Sequence, residues 1–220
     1  VGKGRTMKIK NLFLFFFILV LTGCGLNYLP SKDSWYAKHY FIMQDFERDT
    51  YKKLTDAGRL EFQKLFWEVR SPLAKQQFDA RIAYIEKVYK TENHTQPWNT
   101  DRARVYLLNG PPASIDYRQN NDWMMSIQQG TGNTSSQDVN DRSNEDIQAN
   151  TAEIWLYPYD KYFVYYVFTF SSPNSWKLSP YTYQNNRYLQ QLEQLNKDLT
   201  YRINDEDAYK AKLEALPHKK

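Results

Sequence analysis

Four stretches of the chain repeat apolar residues at helical spacing, and the region between the third and fourth alternates at strand spacing. From about Ser34, the residues Trp35, Ile42, Phe46 and Leu54 recur at multiples of a turn with charged residues between them, which predicts a helix. Ser31, Asp33 or Ser34 is placed to cap its start. "TDAGRL" (55–60) interrupts it: Gly58 weakens the helix, and Thr55 or Asp56 can cap a second, in which Phe62, Phe66 and Val69 share a face until Ser71-Pro72. The third, from Ala74 to Lys90, sets Phe78, Ile82, Ile85 and Tyr89 on one stripe, with Arg81 beside it and able to turn inward. The fourth, near the end, spaces Leu189, Leu192, Leu195 and Leu199 at three- and four-residue steps. That stripe packs on the sheet or docks on a partner.

After Trp98 the period changes. "ARVYLLNG" (103–110) is apolar on both faces, Val105 and Leu107 on one and Tyr106 and Leu108 on the other, which predicts a central strand. Gly110-Pro111-Pro112 is a rigid turn that cannot continue a ladder, and "SIDYR" (114–118) resumes as a short strand. "AEIWLYPYDKYFVYYVFTF" (152–170) predicts a hairpin around Pro158-Tyr159-Asp160-Lys161. Between them, 119–150 is polar, without period and rich in Gly, Ser and Asn, so it is expected to be a mobile insertion. Its apolar cluster is Trp123, Met124 and Met125. The pattern is α+β: N-terminal helices, a small antiparallel sheet with a long polar insertion, and a C-terminal helix.

The start of the chain changes how its charge is counted. Lys8 and Lys10 precede an apolar run from Leu12 to Leu21, and small residues follow, as in a secretory signal. The run is short of the ~20 apolar residues of an ordinary membrane span. Of the 29 basic residues, Lys3, Arg5, Lys8 and Lys10 lie in this leader, which leaves 25 basic against 25 acidic. No basic field remains to attract nucleic acid. The single cysteine, Cys24, ends "LTGC". That segment resembles the lipobox of bacterial lipoproteins, which implies cleavage before Cys24 and acylation of its thiol. The expected organisation is a signal peptide at 1–23, a tether at 24–33, an α+β domain at 34–184 and a C-terminal helix and tail at 185–220. The resemblance implies a lipid-anchored envelope protein. Gly25, where a retention signal would carry Asp, points to the outer membrane, facing the periplasm.

"LFWEVRSP" (65–72), "FDARIAY" (78–84), "WNTDRARVYLLNGPP" (98–112) and "AEIWLYP" (152–158) occur in the order and approximate spacing of GWxTD-domain proteins. The chain resembles that bacterial family, with Pro97 where the family has Gly and "RSPL" where Arg-Asp-Pro is usual. The family brings no established activity. The resemblance singles out Arg70, Arg81, Trp98, Thr100, Asp101, Arg104, Gly110, Pro111, Pro112, Glu153 and Trp155. A fold-level likeness to small BamE-type outer-membrane lipoproteins transfers no function.

Two readings of the Trp98–Arg104 loop stand side by side. In one, Asp101 with Arg102 and Arg104 faces a phosphate or sugar, and the loop belongs to an envelope enzyme or glycan-binding module. In the other, Asp101 accepts backbone N–H bonds or pairs with an arginine, Thr100 bonds locally, and Trp98 plugs the helix–sheet seam. Arg70 and Arg81 would then be buried partners of Asp101. The domain would act in protein interaction or scaffolding, with an envelope protein as partner. His39, His94 and His218 have no metal-ligand spacing, and no nucleophile elbow, phosphate loop or dinucleotide fingerprint is present, so neither a metal nor a cofactor is expected.

Overall fold

A computed structural model of the protein describes residues 33–118, 151–159, 162–171, 174–179 and 200–219. The expectations for the leader, Cys24, the tether, the 119–150 insertion and the leucine stripe at 189–199 lie outside these residues. The chain divides into two units, Val1–Ala37 and Lys38–Lys220. Of the first, the described part is the start of α1 (Ser34–His39), where the Asp33 carboxylate accepts the Tyr36 amide.

The helix expected to run on to Leu54 is broken. A 3₁₀ turn (Tyr40–Ile42) follows α1, and α2 (Asp45–Lys53) begins afresh. A reciprocal cap causes the break: the Gln44 amide donates to Glu47 at 2.7 Å while the Gln44 side chain accepts from the Glu47 backbone. Thr55 caps α3 (Asp56–Glu68) by accepting the Gly58 amide, and Ser71 caps α4 (Pro72–Val88), which Pro72 opens. The stripes are as expected, with Phe62, Phe66, Phe78, Ile82, Ile85 and Tyr89 all buried. Gly58 serves the end of the chain. A Cβ there would lie 2.5 Å from the Pro217 carbonyl, which also accepts the Thr55 amide.

One expectation is overturned. Residues 103–109 are not a strand but part of α5 (Asp101–Asn109), buried at Ala103, Val105, Tyr106, Leu107 and Leu108. An apolar run buried on all sides has no diagnostic period, because a fully buried helix and a central strand read alike. The terminal signals decide it. The Thr100 hydroxyl accepts the Ala103 amide, Asp101 stands in the first turn, and Gly110 ends the helix with φ +77°. Gly110-Pro111-Pro112 therefore closes a helix and leads into β1 (Ser114–Arg118).

The sheet is antiparallel in the order β1, β2 (Ala152–Tyr159), β3 (Tyr162–Ser171), β4 (Ser175–Leu178). The β2–β3 hairpin that the sequence predicts is present, with Pro158 and Tyr159, which the sequence put at its turn, paired within β2 instead, whereas β4 carries no periodic signal in its four residues. Pro158 is tolerated because bonding directions alternate along β2. Thr151 accepts from Phe170 on the β3 side, Leu156 accepts from Ala113 on the β1 side, and the Pro158 nitrogen faces where β1 has already ended. One sheet face carries Glu153, Trp155, Tyr166 and Phe168 onto α4 and α5, where Tyr89 and Tyr106 lie within 6.5 Å of the Trp155 ring. After residue 201 the chain turns into α6 (Glu206–Glu214), which buries Tyr209 and Leu213.

Candidate functional site

The residues singled out by sequence fall into three clusters. The first is built on Arg70, just past the end of α3. Its guanidinium is fully buried and pairs with the equally buried Glu47 of α2, Nη2 reaching the two carboxylate oxygens at 2.8 and 2.9 Å. Nη1 donates to the Phe66 carbonyl at 2.6 Å and Nε to the Tyr201 carbonyl at 3.1 Å, while the Phe66 ring lies 3.6 Å from the guanidinium carbon. Glu47 is thus both helix cap and counter-ion. Tyr209 packs beside the pair, and burial, followed by the Glu47 carboxylate, pushes its phenol upward.

The second cluster ties α4 to the end of α5. Arg81 does turn inward, and its Nη1 donates to the Leu107 carbonyl at 2.7 Å and the Leu108 carbonyl at 3.2 Å, two of the orphan acceptors of the last turn. The Tyr201 hydroxyl donates to the same Leu107 carbonyl at 3.0 Å, and burial pushes this phenol up to about 12 against the pull of Arg81. Gly110 is required here, since a Cβ would stand 3.0 Å from Arg81 Nη2 at a φ that side chains rarely adopt. The Gly110 carbonyl accepts from the Tyr157 hydroxyl at 2.8 Å. Arg70 and Arg81 therefore spend their donors on Glu47 and on carbonyls. The expected pairing of either with Asp101 is not formed.

The third cluster is the signature loop. Thr100 caps α5, and Asp101 Oδ2 accepts the Leu178 amide of β4 at 2.8 Å. Trp98 is 8 % exposed; Lys38 Nζ lies 5.0 Å from its ring centre, and its indole N–H has no partner among the described residues. Gln96 and Asn99 brace the approach: Asn93 accepts the Gln96 amide at 2.8 Å, and the Asn99 amide donates to the Gln96 carbonyl at 2.9 Å. Arg104 lies with its guanidinium carbon 5.9 Å from the Phe41 ring, its buried Nε unpartnered among the described residues. Pro111 is exposed and Pro112 half-buried.

Arg102 carries most of the charge in this cluster. Its Nε and Nη2 donate to Glu92 Oε1 at 2.9 and 2.6 Å, and Nη1 donates to Glu153 Oε2 at 2.6 Å. The Tyr89 and Trp176 rings flank it at 5.1 and 4.9 Å. Glu153 Oε1 accepts the Trp155 indole N–H, and Glu92 Oε2 accepts the Trp176 amide at 3.1 Å. One cation thus serves two carboxylates with almost no exposure. Burial raises the Glu92 carboxyl above the usual range by more than Arg102 draws it down.

Of the predicted residues, Glu153 and Trp155 join this network, Thr100 and Asp101 stand beside it, and Arg70, Arg81 and Gly110 belong to the other two clusters. Sequence reasoning did not single out Glu47, Glu92 or Tyr201, and it placed Arg102 either before a ligand or in local pairing with Asp101, not between Glu92 and Glu153. Gln44 is not one of the residues that mark a capping box in a sequence, so the reciprocal cap with Glu47 appears only in the structure. Glu92 and Tyr201 lie in connections, and no periodic signal marks them. Among the described residues, no group of three or more His, Cys, Asp or Glu side chains could hold a metal ion, and no helix is long and apolar enough to cross a membrane. Compared with family models, curated proteins and solved structures, the chain matches none.

Proposed function

We propose that the protein is a lipid-anchored envelope protein of GWxTD type whose domain works as an interaction or scaffolding module. The carrying observation is where the signature's charges go. Arg102 is divided between Glu92 and Glu153, Asp101 caps onto the β4 backbone, and Arg70 and Arg81 are held by Glu47 and by carbonyl oxygens. Arg102 and Asp101 hold helix and loop to the sheet, and Arg70 and Arg81 hold helices to one another, instead of facing a ligand. A glycan platform would need the Trp98 ring open to solvent, and it is buried. The lipobox-like "LTGC" supports the anchor, since a lone cysteine at that position has a chemical purpose there. Two or three acyl chains, at about 0.8 kcal/mol per buried CH₂, make a durable attachment.

The test is metabolic labelling with a fatty-acid probe, combined with co-purification from detergent-solubilised envelopes. The parent should be labelled and should bring down a defined partner. Cys24→Ser should remain an unlabelled, uncleaved precursor. A labelled Cys24→Ser protein overturns the anchor, and a parent recovered alone after mild cross-linking overturns the interaction role.

A further inference from the structure

We infer that the face formed by the end of α2, the outer side of α3 and the tail after α6 lies against an anionic lipid surface. Its lysines meet the headgroups, and Leu60 turns toward the apolar layer. This goes beyond the interaction role and rests on the lipid anchor proposed above.

Charge supplies the first argument. The tail returns to the junction of α2 and α3, where Leu54 bridges antiparallel to His218. The Thr55 amide donates to the Pro217 carbonyl at 3.0 Å, and the Lys219 amide donates to the Lys53 carbonyl at 2.8 Å. Lys219 thus stands directly across from Lys53, and its Nζ donates to the Lys52 carbonyl at 3.2 Å. All three lysines are exposed. Like charges set opposite one another are destabilising, so the fold alone gives no reason for this arrangement. The neighbouring acids do not explain it either. Asp49 pairs with Lys52 at 3.5 Å, Asp56 with Arg59 at 3.9 Å and Glu61 with Lys64 at 2.9 Å, each within its own helix. Exposed pairs of that kind contribute little. Lys53 and Lys219 have no ion pair among the described residues.

Apolar surface supplies the second argument, and it continues from the cations. Pro217 lines a groove of about 630 Å³ on the outer side of α3, together with Ala57, Leu60, Lys64, Trp67 and Lys75. Ala57, Leu60, Lys64 and Trp67 follow at three- and four-residue steps, so they share one side of α3 over about 15 Å. Leu60 is 61 % exposed. The cations of this face are lysines, apart from Arg59, which lies over the Tyr51 ring at 5.2 Å. Protein interfaces are depleted in lysine and enriched in arginine. Lysine is a mobile point charge without the fork that clamps a single carboxylate, and its apolar stem reaches past an apolar surface to charge above it. A layer of anionic headgroups over hydrocarbon meets both features. From Cys24 to Ser34 the chain can span up to about 35 Å, enough to let the domain turn this face to the bilayer that holds the anchor.

The test uses the full acylated chain in vesicles of phosphatidylcholine, with or without phosphatidylglycerol. Leu60→Cys carries an environment-sensitive nitrobenzoxadiazole label, which the acylated Cys24 thiol cannot take. Its emission should shift to the blue in the anionic vesicles and stay aqueous in the neutral ones. Salt at about 1 M, where the screening length falls to about 3 Å, should reverse the shift. Lys53→Gln and Lys219→Gln should each lower the apparent docking constant about fivefold without lowering the urea midpoint. The same label at Phe163→Cys, on the side of the sheet turned away from the helices, should not respond. The inference is overturned if the Leu60 label reads the same in both vesicles, ignores salt, or is unmoved by Lys53→Gln and Lys219→Gln. It is also overturned if the label stays aqueous while those two variants lose an acidic protein cross-linked to this face in envelopes. Failure of the anchor looks different: the chain then leaves the neutral vesicles altogether. Flotation with the anionic vesicles at low salt, weakened by Lys53→Gln, still upholds the face in that case, and flotation with neither overturns it.

Discussion

Asp101, the first residue of α5, accepts the amide of Leu178 in β4 at 2.8 Å, so the signature loop is bonded to the edge of the sheet. The carboxylate also stands at the positive end of the helix dipole, where a negative charge is favourable. Asp101→Asn keeps an acceptor there, and Asp101→Ala leaves the Leu178 N–H unpaired. We expect Asp101→Ala to lower stability by about 1–3 kcal/mol and Asp101→Asn by less. Urea unfolding would check the order, and equal loss in both variants would contradict the hydrogen-bond account.

Glu47 and Arg70 form a buried pair with no exposed surface on either side chain. Removing one partner leaves an uncompensated buried charge, at a cost of about 3–5 kcal/mol. Glu47→Gln and Arg70→Met should therefore each destabilise strongly, and the double variant should lose much less than the sum of the two. Arg70→Met combined with Asp101→Ala should be additive, because the two residues share no partner. Thermal unfolding of the parent, the three single variants and the two double variants checks both statements.

Gly110 combines φ +77° with close approach to Arg81. Gly110→Ala should cost about 1–3 kcal/mol from the backbone alone. Shortening the clashing side chain in Gly110→Ala/Arg81→Lys should relieve only part of that loss. Full recovery in the double variant would mean that the strain lies in the side-chain contact instead of the backbone.

Glu92 gives the domain a pH dependence of defined sign. Its carboxyl is raised in the folded state by burial, against which Arg102 acts only in part. A raised folded-state value means that its contribution to stability is fully present below the unfolded value, about 4.3, and is lost as pH rises through the folded one. The stability difference between parent and Glu92→Gln should therefore move in the parent's favour as pH falls from 7 toward 4.5. Denaturant midpoints of the two chains across that range test it, and a constant difference would refute it.

How much of this was legible in the sequence depends on the kind of signal. The stripes of α3 and α4 repeat over several turns, and the β2–β3 hairpin has long β-rich runs on both sides of its turn, so all three were readable. α5 was not, because Val105 to Leu108 are buried on every side and show no period, although Thr100 and Gly110 marked its ends. The importance of Arg70, Arg81 and Asp101 was readable, but their partners were not. Glu47 is 23 residues from Arg70, and Leu178 is 77 from Asp101. Nothing local in the chain specifies contacts at those separations. The β4 strand has four residues, and its role appears only once the Glu92 carboxylate and Asp101 are seen to hold its amides.

The account rests on the signature loop being a brace, and Arg102 is where that is tested most directly. Its guanidinium is the cation that joins Glu92 of the loop to Glu153 of the sheet. Arg102→Met keeps an unbranched apolar stem but removes the guanidinium between the Tyr89 and Trp176 rings, and so leaves two buried carboxylates facing each other. The measurement is the urea-unfolding free energy of this variant at neutral pH. The brace predicts a loss of about 3–5 kcal/mol, as for a buried pair deprived of one partner. An unfolding curve that overlays the parent's would contradict it and return Arg102 to the role of a cation held ready for a ligand.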